Sequence, residues 1–130
     1  MDRGKVLTAM QALAHASRLD LVHLLMPHGD DGLPAGEIGR ALGMTASRLS
    51  FHLAALEQAG LLRSRRQARN VFYAVDTQGM GRTIDYLLND CCRANPTVRD
   101  LCQGPGRPLD SLSDATRSVA PGQVTSWPEL

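Results

Sequence analysis

A mostly helical domain with one small β-hairpin is the fold this sequence predicts, and three observations carry the prediction. Leu and Ala dominate a hydrophobic content of 43%, while aromatic residues make up only 4%; that balance favours helix over strand. Two short apolar-periodic segments are joined by a tight turn at Gly43-Met44-Thr45. An arginine-rich stretch with period-two alternation follows them.

The elements are justified in chain order. Val6, Met10 and Leu13 recur at i, i+4 and i+7, which predicts a first helix over 3–14. Ser17 and Asp20 stand at capping-box spacing, so a second helix is expected to open at Ser17 and carry Leu21, Val22, Leu24 and Leu25 to the neighbourhood of Pro27. His28 to Gly32 is rich in turn formers. Pro34 suits the first turn of a third helix bearing Ala35, Ile38, Ala41 and Leu42, with Gly43 just past its end. Thr45 caps a fourth helix with a core stripe of Leu49, Leu53 and Leu56, ending at Ala59-Gly60. Two helices joined this way form a helix-turn-helix. Residues 61–66 and 70–75 then make a hairpin with Gln67, Ala68 and Arg69 at its tip. Helix returns over 78–92 through Met80, Ile84, Leu87 and Leu88, and Asn95-Pro96 opens one further turn toward Cys102. The order is that of a winged helix-turn-helix. Residues 1–102 are expected to form the domain, and 103–130, punctuated by Gly and Pro, a flexible tail.

Composition narrows the function. A formal net charge of +1 does not mark a nucleic-acid binder, but its distribution does. Residues 37–70 hold six arginines against two glutamates, and Arg63, Arg65, Arg66 and Arg69 fall on the hairpin with no acid among them. A phosphate-binding surface requires such a segment. With Leu49, Leu53 and Leu56 facing inward, the fourth helix presents Ser47, Arg48, Ser50, Phe51 and His52 to the major groove. Arg48 can pair with guanine or phosphate, the serines and His52 with base edges, and Phe51 with a thymine methyl. Arg65, Arg66 and Arg69 are the wing's phosphate contacts. The competing reading is a solvated basic hairpin on an ordinary helical domain.

The N-terminus superficially imitates a signal peptide, with Ala14-His15-Ala16 in place of a cleavage site, but Thr8, Gln11 and His15 break the apolar run. No stretch reaches the roughly 18 apolar residues of a membrane span. The expectation is a cytoplasmic protein whose three cysteines are thiols. No phosphate loop or paired carboxylates point to an enzyme.

Thr45-Ala46-Ser47-Arg48-Leu49-Ser50-Phe51-His52-Leu53, continuing to Gly60-Leu61-Leu62, together with Arg69-Asn70-Val71-Phe72-Tyr73 and Leu13-Ala14-His15-Ala16-Ser17-Arg18-Leu19, resembles the arsenical-resistance repressor family of bacterial winged-helix metal sensors. The resemblance covers roughly 5–102. It implies a homodimer joined through its first and last helices, bound to double-stranded operator DNA. The third helix lacks the Cys-x-Cys pair of some members, and residues 78–92 lack the histidines of the zinc-binding ones. Ala68 stands where the wing tip usually has Gly, and Phe51 where a polar residue is common. Asp90-Cys91-Cys92 followed by Cys102 is similar to the branch that senses trivalent metalloids.

The chemistry of the cysteines agrees with that branch. All three lie within twelve residues, and soft thiolates select thiophilic ions such as As(III) and Sb(III). Zinc would want a fourth ligand. Adjacent cysteines on a continuing helix point about 100° apart, so a shared site at Cys91, Cys92 and Cys102 requires the helix to end there. Pro96 favours that ending, because it disfavours helix at Asn95. Operator release by As(III) or Sb(III), with no organic cofactor, is the expected function. The alternatives are a thiol redox switch on the same cysteines and cysteines that are merely buried small hydrophobes.

Overall fold

The structure, a computed structural model, describes residues 2–104. Residues 105–130, most of the expected tail, lie outside the described residues. The chain falls into two compact units, one through Ile84 and one from Asp85 onward.

The first unit opens with α1 (Arg3–Leu13), capped by Asp2, whose carboxylate accepts from the Lys5 N–H at 2.8 Å. Its buried face is Val6, Ala9 and Ala12, with Leu13 partly buried against the core; Met10, expected on that face, is 40% exposed. The small alanines let the α1 backbone lie close to its neighbours, which a stripe of large residues would prevent. Helix α2 (Ala16–Leu25) starts earlier than the capping-box spacing implies. His15, not Ser17, is the N-cap: its extended backbone allows Nδ1 to accept the Ser17 N–H at 3.2 Å. A 3₁₀ turn over Met26–His28 closes the helix before the loop.

The sheet has a strand the sequence reading did not anticipate. Leu33–Pro34 forms β1, paired antiparallel with β3 (Asn70–Val75) at Leu33↔Tyr73 and Pro34↔Phe72. Proline is tolerated because β1 is an edge strand. Gly32, at φ +65, makes the approach possible, since any Cβ there would collide with the Tyr73 carbonyl. β2 (Leu62–Gln67) completes the order β1-β3-β2.

Helix α3 (Ala35–Leu42) ends at Gly43 in the left-handed conformation, and α4 (Ala46–Gln58) begins at the Thr45 cap, both as expected. The core runs through Leu21, Leu25, Ile38, Leu49, Leu53, Leu56 and Leu61. Helix α5 (Thr77–Asp85) approaches the end of α4 at Gly79, where a Cβ would run into the Gly60 carbonyl oxygen.

In the second unit the helical winding widens. Tyr86–Cys91 is a π-helical stretch ending at Cys92. Arg93 and Ala94 both take positive φ, at 54° and 56°. Asn95 then caps α6 (Pro96–Gln103), its side-chain oxygen accepting the Val98 N–H at 3.1 Å. The cap and the break in the helix are where Pro96 placed them. Gln103 closes α6, not the tail.

Candidate nucleic-acid interface and cysteine segment

Helix α4 presents Ser47, Arg48, Ser50 and Phe51 on its exposed face. Phe51 is 66% exposed, a large apolar side chain held in water on a helix whose opposite face is core. The Arg48 side chain makes no hydrogen bond or ion pair among the described residues, so its donors are available to an outside partner.

His52 is a correction. The sequence reading put it on the exposed face, but it is only 4% exposed. With Leu49, Leu53 and Leu56 it widens the buried face of α4. Its Nδ1 accepts a hydrogen bond from Arg18 Nε at 3.0 Å, and its ring lies 4.6 Å from that of His15. Burial first, then the charges of His15, Arg18 and Arg48, hold the His52 pKa below its ordinary value. A buried imidazole satisfied by an arginine does not reach a base edge.

The wing's cations divide into two sets. Arg63 forms an ion pair with Asp30 at 2.7 Å, the only salt bridge among the described residues. Arg65 donates to the Asp31 carbonyl at 3.0 Å and to the Gln67 side chain, and its guanidinium lies 4.6 Å over the Phe72 ring. Arg66 and Arg69 are exposed and make no such contacts among the described residues. Arg65, expected as a phosphate contact, is thus anchored within the chain; Arg66 and Arg69 are the wing's unengaged charges. Glu57, at the end of α4, accepts from the Ser64 hydroxyl at 2.6 Å and ties the wing to the helix.

At the wing tip Ala68 itself takes φ +56. It is the first of two residues between the paired Gln67 and Asn70, where a tight hairpin prefers glycine.

The cysteines are free thiols: Cys91 and Cys102 are exposed and Cys92 half-buried. Burial first, then the neighbouring Cys91, raise the Cys92 thiol above its ordinary pKa. No cluster of three His, Cys, Asp or Glu side chains suited to a metal ion exists among the described residues. Cys91 and Cys92 are neighbours in the chain at the end of the π-helical stretch, Cys102 is on α6, and the three are not gathered into one site. The soft donor chemistry fits a trivalent metalloid, but the three thiols are not gathered around one point.

Sequence reasoning missed Arg18 and the Asp30-Asp31 loop. Arg18 sits in the stretch that carries the family resemblance, but nothing local reveals its partner, 34 residues away. No described helix is long and apolar enough to cross a membrane.

Comparison with known proteins identifies this architecture. Residues 13–65 match a helix-turn-helix domain family. The chain is 33% identical over 94 residues to the transcriptional activator HlyU of Vibrio cholerae, covering 72% of this chain and 84% of HlyU. A solved HlyU structure from that organism superposes with a TM-score of 0.55 at 31% identity, over 71% of this chain and 99% of that one. The homodimeric winged helix-turn-helix DNA-binding domain of a possible ArsR-family regulator from Mycobacterium bovis superposes with a TM-score of 0.55 at 26% identity, over 67% and 84%. With this identity across most of HlyU, and with α3, α4 and the β2–β3 wing in place, the chain belongs to the ArsR-type family of winged helix-turn-helix transcriptional regulators.

Proposed function

We propose that this regulator is a homodimeric repressor that leaves its operator when its cysteines capture trivalent arsenic or antimony. The observation that carries the DNA-binding half is the unengaged set of Arg48 on α4 and Arg66 and Arg69 on the wing, together with an exposed Phe51 on α4. The homodimeric Mycobacterium bovis relative supports a dimer. So do Leu7 and Met10 on α1 and Ile84 on α5, which are 48%, 40% and 43% exposed on the two helices expected to join the protomers.

The Cys91–Cys92 pair supports the inducer half. Two free thiols on adjacent residues, one of them exposed, offer soft donors to a thiophilic ion. Cys102 begins no more than a short turn and one helix away in sequence. Binding deprotonates the thiols and couples ligand capture to rearrangement of the segment that holds them. Recruitment of Cys102 would unwind or shift α6 about the Arg93-Ala94 turn, a backbone already in an uncommon conformation for residues with a Cβ.

A gel-shift titration of the reduced full chain tests this, with As(III), Sb(III), Zn(II) and Cd(II) run side by side. Release by As(III) or Sb(III) at lower concentration than by the divalent ions supports the reading. Release by an oxidant and by none of the ions would assign the switch to disulfide chemistry instead.

A further inference from the structure

The least expected feature of α4 is the polar contact behind it. Arg18 reaches from α2 to three places at once. Its Nε donates to His52 Nδ1 at 3.0 Å, Nη1 donates to the Ala12 carbonyl near the end of α1 at 3.3 Å, and its guanidinium carbon stands 5.5 Å from the centre of the Phe51 ring. The His52 ring in turn meets the edge of Phe51, with centroids 5.6 Å apart. One guanidinium therefore links the end of α1, the start of α2 and the DNA-facing residue Phe51. A leucine at position 52 would fill the same core position without any polar group to satisfy. Buried polar contacts of this kind fix one geometry where apolar packing allows several.

We propose that Arg18 and His52 are positioning residues that set how α4 presents Phe51 and Arg48 to base edges, and so determine operator specificity and not overall DNA affinity. The proposal rests on the reading that α4 contacts bases.

The chemistry gives the pair a signature. Arginine has only donors, so His52 Nδ1 must be unprotonated and the neutral ring must carry its proton on Nε2. A proton added to Nδ1 would turn an acceptor into a donor facing a cation. The groups that face His52 are His15, Arg18 and Arg48, and all of them resist that proton. Acidification below the ordinary histidine range breaks the bond, releases Phe51 from its support and loosens base reading. Phosphate contacts from Arg66 and Arg69 do not depend on it.

The test uses the full chain and two duplexes: one selected by the wild-type protein from a random pool at neutral pH, and a scramble of the same composition. Nitrogen-15 spectra of His52 at neutral pH should show the Nε2–H tautomer; the Nδ1–H tautomer would overturn the proposal without any variant. The preference for the selected duplex should fall about tenfold between about pH 7.5 and about pH 5, while scramble binding changes little. His52→Asn keeps an acceptor near the Nδ1 position and does not titrate, so it should retain the preference and lose its pH dependence. Arg18→Met and His52→Leu should reduce the preference about tenfold and leave scramble binding within about twofold. A wild-type preference preserved in both variants would overturn the proposal alone. If the wild type selects no sequence, base reading by α4 fails and this inference falls with it.

Discussion

Ala68 shows how one residue can be placed correctly and its conformation left to the fold. Its Cβ stands at φ +56 in a two-residue loop, where a side chain costs about 1–2 kcal/mol. Glycine would remove that cost but lose more freedom on folding, by about 0.5–1 kcal/mol. Ala68→Gly is therefore expected to stabilise the protein by about 0.5–1 kcal/mol, read as a higher midpoint in urea. An unchanged or lower midpoint would show that the tip relaxes around Ala68 at no cost. His52 carries a pH prediction of its own. Its pKa is depressed in the folded state, so the unfolded chain binds the proton more readily. This contribution to stability is complete above the ordinary histidine value of about 6.5 and is lost as pH falls through that value toward the folded one. Urea midpoints measured from neutral to acidic pH should decline in the wild type and decline less in His52→Asn. At Arg48, an unpaired side chain on the exposed face, replacement by Ala should weaken binding to the selected operator more than to scrambled DNA.

At the scale of elements, the wing and α5 make different demands. Arg66 and Arg69 are unengaged, whereas Arg63 and Arg65 are tied to the Asp30-Asp31 loop. Each phosphate contact contributes about 0.9 to the slope of log affinity against log salt. Arg66→Ala and Arg69→Ala should each flatten that slope by about 0.9, and Arg63→Ala by clearly less, in anisotropy titrations across salt concentration. Equal losses from all three would mean that DNA displaces the Asp30 pair. In α5, Gly79 lies against the Gly60 carbonyl with no room for a Cβ. Gly79→Ala should destabilise the first unit by about 1–3 kcal/mol, because backbone must shift to admit it. Gly81, in the same helix with open space around it, is the control: Gly81→Ala should leave stability unchanged or raise it.

For the whole molecule the prediction concerns how recognition and sensing combine. A homodimer with two α4 helices should read an imperfect inverted repeat with half-site centres about one helical turn apart. Footprinting on the selected DNA checks this; protection of a single asymmetric half-site by a monomer would refute it. On the proposed reading the thiols and the base-reading helix are different sets of residues, so release by a metalloid would couple two sites. A coupling of about 1–3 kcal/mol weakens DNA binding about 5- to 150-fold. Cys91→Ser and Cys92→Ser should keep operator affinity and lose As(III) release, since a hydroxyl is a poor ligand for a soft ion. Cys102→Ser separates a three-thiol site from a two-thiol one: loss of release assigns Cys102 to the site, and full release confines the site to Cys91 and Cys92.

Local chemistry was enough to read most of this fold. Thr45, Gly43, Asn95 and Pro96 act on backbone groups within a few residues, so the end of α3 and the starts of α4 and α6 follow from sequence. The arginines of the wing are likewise visible as a run of charge. What sequence could not supply depends on partners distant along the chain. β1 exists because Gly32 lets Leu33 and Pro34 reach β3, some 40 residues on. His52 stands at i+3 from Leu49, so helical spacing itself puts it on the buried side; what the local sequence could not supply is Arg18, the partner that satisfies it there. Arg65 and Arg66 are adjacent and chemically identical, yet Phe72 and the Asp31 carbonyl hold only one of them. Periodicity and capping are written within one turn of chain. Which polar side chain finds a partner across the fold is decided only when distant elements pack.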